Sequence, residues 1–467
     1  MPIGHPLSLR LHDTRSGRVE EIVPATAGVL RVYSCGPTVY RDAHVGNHRS
    51  NLLPDLISRV ARWQRLRVEL VMNITDVGHV TDEETDSGED KLAGQARTEG
   101  RSIVEVASHY EARFHRDLAA LNIRPAQHYP RASECIPLMI ELTEKLVGRG
   151  HAYLDPDRNV WFDARSFPSY GAISHNRLDA LQPSPGEPAA GKRFHADWAL
   201  WKATTADAPV VFESPWGPGF PGWHLECSAM SLANLGESID VHTGGIDLRF
   251  PHHEDERAQT EAAVGHEVVR HWVHGEHVLF EGRKMAKSTG NVVLVEDLTA
   301  RGLDPLALRL SFLRTGYRQQ TDLSWTAIEA ADRTLRRWRA EVARWAESPS
   351  KPMCAGYVQR VADAFANDLD TPRAVVALQE LVADADVPPG ARFESVAHLD
   401  ALFGLDLARD VGKAPTALPI GAQQKLEERA AARARKDFAA ADGLRAELAA
   451  LGVTVRDGKD GQTYEVG

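Results

Sequence analysis

The sequence predicts an α/β protein, in which a parallel sheet interrupted by an inserted subdomain is followed by an α-helical bundle and a small C-terminal domain. Three observations carry that expectation. Early in the chain, two apolar, β-rich runs flank a segment with helical spacing, which is the order of a βαβ unit. Residues 151–200 break this pattern with glycine, proline, aromatics and short extended runs, after which sheet-like runs return. From about Leu323, alanine, arginine, glutamate, leucine and tryptophan recur at helical periods.

The first run, Val29–Val39, closes on Cys-Gly-Pro, and the second is Glu69–Thr75. Between them, Leu52, Leu53, Leu56, Ile57, Val60 and Trp63 share a helical face within 48–64. A strand, helix, strand order makes the two strands parallel. Residues 101–150 read as helices, and the second half of the sheet is expected to use Ser238–Thr243 and His277–Glu281. The bundle pattern runs to about residue 403, and a Pro/Gly-containing connection over 412–421 leads to a helix pair over Gln423–Leu451 and an extended tail. The expected division is therefore 1–120 for the first half of the sheet domain, 121–200 for the insert, 201–283 for the second half, 284–322 for a connecting region, 323–411 for the bundle and 412–467 for the C-terminal module. No solenoid-type repeat is present.

At 467 residues the chain is longer than one core supports, in agreement with several domains. A composition 43% hydrophobic and 25% charged is that of a soluble globular protein, and no apolar stretch approaches the roughly 20 residues of a membrane span. The N-terminal stretch has no basic flank followed by an apolar core, so no secretory leader is expected and the cytoplasm is the expected compartment. Cys35, Cys135, Cys227 and Cys354 are too few and too scattered for a disulfide framework, which leaves thiols for chemistry. The net charge of −11 excludes a surface that coats nucleic acid generally, so an RNA partner has to be held by local patches.

His44-Val45-Gly46-Asn47 stands where the first strand gives way to the first helix. A small residue and polar side chains there would bring a phosphate to the helix N-terminal amides; the same residues also fit a plain turn into a helix capped by histidine. Lys284-Met285-Ala286-Lys287-Ser288 carries two ammonium groups three residues apart, able to converge on a polyphosphate and stabilise charge on its leaving group. Alone it fits a solvated basic loop equally. Together the two strings are similar to the paired signatures of class I aminoacyl-tRNA synthetases, usually written HIGH and KMSKS. A third constellation concerns metal. The run from Pro251 to Glu256 opens a helix-like stretch that places His252 and Glu256 on one face. With Cys35 and Cys227 they offer two sulfurs, a nitrogen and an oxygen, a zinc-type set. Spacing leaves this open, because buried cysteines and a solvated acidic helix start use the same residues.

The strings SCGPTVYRDAHVGN, NITDVGH, GWHLECSAM, HTGGIDLRFPHHEDE and KMAKSTGN occur in the order and context of cysteinyl-tRNA synthetases, and the chain resembles that family from about residue 8 to its C-terminus. The resemblance implies a Rossmann-like parallel-sheet catalytic domain. It also implies activation of L-cysteine by ATP, with magnesium, to cysteinyl-adenylate, and transfer to the 3′-terminal adenosine of tRNA(Cys), at the 2′-hydroxyl. At matching positions it implies Cys35, Cys227, His252 and Glu256 as ligands of one zinc ion per chain, with Cys35 also beside the substrate. It places His44, Asn47, Lys284 and Lys287 in catalysis around the phosphates, and Gly46, Gly244, Gly245, Asp247 and Lys287 at the nucleotide. Thr75 and Trp223 would enclose the amino acid. Shape alone separates near-isosteres by only ~1–3 kcal/mol, whereas a borderline-soft metal prefers a thiolate to a hydroxyl; no editing domain is then needed. The resemblance further implies a signature loop and stem-contact region over 284–322, an anticodon-binding bundle over 323–411 with Phe365–Arg373 near its middle, and a tRNA-recognition module over 412–467. A monomer with no membrane partner is expected. Arg333, Arg336, Arg337, Arg339 and Arg344 provide positive charge for phosphates, or a solvated face.

Two positions depart from the family pattern. Asn47 replaces the last histidine of the first signature, which keeps a donor but removes a titratable ring, and Ala286 replaces a serine in the second while both lysines remain. Activity is expected to survive both. The alternatives are a cysteine ligase of mycothiol synthesis, which joins cysteine to an amino sugar with the same machinery, and a non-catalytic zinc- and RNA-binding relative. The CGPTVY segment and the C-terminal module favour the tRNA enzyme over the first, and retention of both lysines, His44 and the four ligands argues against the second.

Overall fold

A computed structural model of the chain describes residues 8–77, 80–82, 87–181, 191–285, 291–413, 419–458 and 461–466. Two compact units are present, 1–409 and 410–467. In the first, strand β1 (Val29–Ser34) leads through a loop to helix α1 (Val45–Trp63) and back to β2 (Arg67–Met72), parallel to β1 with Val32 opposite Leu70. Helix α2 (Trp223–Leu235) precedes β3 (Ile239–Gly245), and α3 (His252–Val264) joins β3 to β4 (Val269–Gly275). The strand order is β4-β3-β1-β2, all parallel. Every residue of β3 is buried, as expected when helices cover both faces of a parallel sheet. Chain order reverses between β1 and β3, so their carboxyl ends diverge into a crevice of the kind where α/β sheets bind ligands.

The returning sheet differs from expectation at one strand. Its last member is Val269–Gly275, whereas Val278–Phe280 lies in a separate three-stranded sheet with Arg283–Lys284 and Thr321–Leu323. In β4 the sequence VRHWVHG dilutes the apolar run with two histidines and an arginine. His271 and His274 are nevertheless buried, because Nδ1 of His271 meets Asp240 O at 3.0 Å and Nδ1 of His274 meets Thr14 Oγ1 at 2.7 Å.

Helices Ile103–Ala120 and Ile136–Gly148 lead into the insert, an antiparallel sheet of Ala152–Leu154, Val160–Phe162, Trp198–Ala203 and Gly219–Pro221. The edge expected at residue 200 falls inside a strand, and pairing of Trp201 with Pro221 carries the insert to 221. Its Trp198 and Trp201 share a core with Leu225 and Met230 of α2 and Ala258 of α3, so the insert buttresses the helices behind the crevice.

The bundle consists of Trp325–Trp345, Ala355–Ala366, Thr371–Ala383 and Pro389–Phe403. A buried ionic node joins it to α1. Arg309 donates to Asp55 Oδ2 at 2.7 Å and to Phe403 O, Leu121 O and Asn122 O, while Arg59 donates to Asp55 Oδ2 at 2.8 Å and to Ala401 O. Gly404, at φ +64°, is required there, since a Cβ would come within 2.7 Å of Arg59 Cζ and 2.8 Å of Arg309 Nη2. Among the arginines expected to offer charge to RNA, Arg339 is instead 1% exposed and donates to Asp304, Leu405 O and Asp406 O. It is a structural cation, while Arg333, Arg336, Arg337 and Arg344 are exposed.

The second unit is the helix pair Ala422–Ala434 and Phe438–Ala450 with the extended tail folded on itself as a hairpin, Val453–Gly458 with Gly461–Val466. Leu426, Leu448, Val453 and Val455 form its small core, and buried Arg429 pairs with Asp457. Among the described residues no helix is long and apolar enough to cross a membrane.

Candidate active site and metal centre

The crevice opens on a cleft of about 710 Å³ whose lining includes Cys35, His44, Gly46, Asn47, Trp223, Gly245, Asp247 and Lys284. Glycine shapes its floor after β1. A Cβ at Gly36 would lie 1.8 Å from Asn73 O, so only glycine lets the chain pass the end of β2 this closely.

At the start of α1, Nδ1 of His44 accepts the Asn47 N–H at 3.2 Å, and Oδ1 of Asn47 accepts the His44 N–H at 3.0 Å. This reciprocal cap holds the His44 ring with Nδ1 as acceptor, so its proton sits on Nε2. Burial, helped by the charge of Arg41 and by His48, lowers the His44 pKa to about 4, so the ring is a neutral donor at physiological pH. The reading of this turn as a histidine-capped helix start is thus met, and the capping histidine also lines the cleft. The Asn47 cap uses its oxygen and leaves the amide Nδ2 as a donor.

Lys287 and Ala286 lie outside the described residues. The residues on either side of them dock on the first signature: the Val45 N–H donates to Val293 O at 2.9 Å, and a Cβ on Gly46 would stand 2.7 Å from Met285 Cε. Gly46 therefore gives Met285 room to pack over the helix start, and this brings the exposed Lys284 to the cleft.

Beneath the cleft, one ligand atom each from Cys35, Cys227, His252 and Glu256 lies within 4.8 Å of the others. The residues come from the end of β1, the second turn of α2 and one face of α3, where His252 Nε2 is 3.1 Å from Glu256 Oε1. Cys35 Sγ donates to Cys227 Sγ at 3.8 Å and to Glu256 Oε1 at 3.4 Å. Burial raises both thiols, and the hydrogen bond then divides the pair, holding Cys227 below the ordinary thiol value and Cys35 well above it. Burial also pushes Glu256 well above the usual carboxylate range, and its Oε2 has no hydrogen-bond partner among the described residues. Two thiols, an imidazole and a carboxylate oxygen with no hydrogen-bond partner among the described residues fit a divalent zinc-type ion. His252 Nδ1 meets His224 Nδ1 at 2.9 Å, which leaves Nε2 facing the cluster.

Sequence reasoning missed three neighbours. His242 and His253, both held neutral by burial, form a second four-donor set with Cys35 and Glu256. The first set supplies two sulfurs to the second set's one, and is the one a borderline-soft ion prefers. His253 Nδ1 is tied to His274 Nε2 at 2.8 Å. Glu226, fully buried, accepts from Thr75 Oγ1 at 2.8 Å. The available signals were a histidine inside the apolar β3 and the adjacent pair His252-His253.

The remaining expected residues divide between cleft and wall. Trp223 lines the cleft and stacks on His252, with ring centroids 4.2 Å apart, linking cleft to cluster. Thr75 is 1% exposed, its hydroxyl donating to Glu226 and accepting from Asn73, so it stands in the wall. A Cβ at Gly245 would lie 2.3 Å from Asp247 Oδ1, so the glycine lets that carboxylate fold back over the strand end. Gly244 faces His253 Cε1 in the same way at 2.6 Å, away from the cleft lining.

A parallel sheet with its cleft between β1 and β3, walled by the first signature and by Lys284 and Met285 of the second, defines a class I tRNA synthetase. Residues 21–333 match the model of the class I (C) tRNA synthetase catalytic domain, and 416–464 match the cysteinyl-tRNA ligase anticodon binding domain. The cysteine–tRNA ligase of Thermus thermophilus is 40% identical over 491 residues, covering 98% of this chain and 100% of that protein. That of Methylocella silvestris is 41% identical, covering 98% and 99%. The chain belongs to the cysteine–tRNA ligase family. Its fold is also that of the Mycobacterium tuberculosis methionyl-tRNA synthetase bound by methionyl-adenylate, at TM-score 0.56 and 18% identity, over 88% of this chain and 96% of that one.

Proposed function

We propose that the cleft activates cysteine with ATP and passes it to tRNA(Cys), and that Cys35, Cys227, His252 and Glu256 hold one zinc ion that selects the substrate. When bound, zinc would offer a thiolate a bond that a serine hydroxyl cannot match. The observation that carries this reading is the convergence of a two-sulfur donor set and the flanks of both signatures on one cleft.

The residues divide the work by chemistry. Trp223, between cleft and cluster, walls the amino acid, and Thr75 and Glu226 back that wall. Gly245 and Asp247 serve the nucleotide, the carboxylate accepting from ribose hydroxyls. A carboxylate oxygen of cysteine attacks the α-phosphorus of ATP, the bond to the β-phosphate oxygen breaks, and pyrophosphate leaves. Charge on the phosphates is met by the Gly46 N–H at the start of α1, by His44 Nε2–H and Asn47 Nδ2–H, and by Lys284 and Lys287. Magnesium enters with ATP. The 2′-hydroxyl of the tRNA's terminal adenosine then attacks the adenylate carbonyl, releasing AMP and the hydroxyl proton. No protein nucleophile takes part. Region 284–322 meets the acceptor stem, the bundle over 323–411 and the module over 412–467 read the rest of the tRNA, and the chain works as a cytoplasmic monomer. The match of 416–464 to an anticodon binding domain supports tRNA over an amino sugar as acceptor.

ATP–pyrophosphate exchange with each amino acid in turn tests the reading. Cysteine alone should support exchange, and Lys287→Ala should lower its rate while leaving the KM for cysteine nearly unchanged, as when an interaction forms mainly in the transition state. Equal exchange with serine, or an unchanged rate in the lysine variant, would overturn it.

A further inference from the structure

Within the bundle, the motif around Asn367–Asp370 turns through two consecutive left-handed residues, Asp368 at φ +56° and Leu369 at φ +49°, neither of them glycine. Left-handed backbone is disfavoured for a residue with a Cβ, and a pair persists only where the surroundings over-determine it. Here they do. The Asp368 carboxylate accepts from the His12 N–H at 2.9 Å, from the Tyr317 hydroxyl at 2.5 Å and from Arg318 Nε and Nη2 at 2.9 and 2.5 Å. Leu369 is 1% exposed.

The turn is connected to the cleft by a short path. Tyr317, whose side chain is held by Asp368, accepts the Glu276 N–H on its own carbonyl at 2.8 Å. From the other side, buried Arg49 of α1, five residues after His44, donates to Glu276 O and His277 O at 3.2 Å and to Gly316 O and Gln319 O at 2.8 and 2.7 Å. Leu369, Tyr317, Arg49 and Gly275 line one small pocket of about 20 Å³, and Gly275 lines the substrate cleft as well. The wall at the end of β4 is therefore one residue thick, with the bundle's strained turn behind it. That wall continues through Val278–Phe280 into Lys284, which puts it on the phosphate side of the cleft, away from the cysteine-side cluster at β1.

We propose that Asp368 and Tyr317 are positioning residues for the nucleotide: the left-handed turn of the bundle, acting through the Tyr317 hydroxyl, sets where Gly275–Val278 stand against ATP. This rests on the reading of the cleft as an ATP and cysteine site. The Tyr317–Asp368 bond fixes one side of the 316–319 segment, and losing it lets the segment, and Glu276 with it, relax toward the small pocket. ATP then meets a displaced wall, while the cysteine side is untouched.

The test is cysteine-dependent pyrophosphate exchange by the full chain. Tyr317→Phe removes only the hydroxyl, and the loss of one buried hydrogen bond corresponds to about fivefold in an equilibrium. The KM for ATP should rise by about that factor, with the KM for cysteine and kcat within about twofold. Asp368→Gly, which removes the carboxylate and tolerates the left-handed region, should shift the ATP KM the same way. The double variant should show no further rise, since both changes break one link. An ATP KM unchanged in a Tyr317→Phe enzyme of normal melting temperature, or parallel rises in both KM values, would overturn the positioning role alone. Absence of cysteine-dependent exchange in the unmodified chain would sink the proposed function and this inference with it.

Discussion

Arg309→Met is the sharpest test of how the catalytic unit is held together, because it removes the cation at the joint between α1 and the bundle while nearly keeping side-chain volume. Arg309 is 1% exposed, and its guanidinium serves Asp55 Oδ2 at 2.7 Å, Phe403 O at 2.7 Å, and Leu121 O and Asn122 O at 3.0 Å. Removing one partner of a buried pair costs about 3–5 kcal/mol. Asp55 keeps Arg59 at 2.8 Å, which lowers that cost, but Phe403 O and Leu121 O lose a donor, and an unsatisfied buried group costs about 1–3 kcal/mol. The net expectation stays at about 3–5 kcal/mol. With an m value of about 3 kcal/mol/M for urea, the unfolding midpoint should fall by roughly 1 M. The variant should also be more acid-sensitive. Burial alone would raise the Asp55 pKa, but Arg309 and Arg59 outweigh it and hold the carboxyl below its ordinary value. Asp55 therefore contributes stability above the unfolded-chain pKa of about 3.9, lost as the pH falls through the folded value. With Arg309 gone the folded value rises, and the loss should begin at higher pH. Urea titrations at pH 7 and pH 5 measure both effects; a midpoint within about 0.2 M of the parent at both would refute the reasoning.

Two further outcomes follow from the site and from the division into units. Protein purified without added zinc should carry one equivalent by metal analysis, Cys227→Ser should lose most of it, and Cys354→Ser, at the far bundle, should keep it; full zinc in the Cys227 variant would remove that residue from the centre. A chain ended after Lys413 retains the whole first unit and its cores. It should exchange pyrophosphate with cysteine yet charge tRNA poorly through weakened tRNA binding, and charging equal to the full chain would deny the C-terminal module a recognition role.

The sequence by itself determined the elements whose information is local. Helical period marked α1 and the bundle, because one apolar face of a helix is written at fixed spacing. Resemblance to the family marked both signature segments and, where spacing left it open, the Cys35, Cys227, His252, Glu256 donor set, which the fold brings within 4.8 Å. Tertiary structure decided what depends on distant partners. A histidine or arginine reads as polar in the chain, but burial depends on whether a remote group satisfies it. For that reason β4 was hidden behind His271 and His274, and Arg339, read as a possible phosphate contact, is locked on Asp304. For that reason too, His242, His253 and Glu226 emerge at the site only once β3, α3 and α2 are packed. The insert's edge at Pro221 was set by strand pairing, a contact between residues that no local pattern relates.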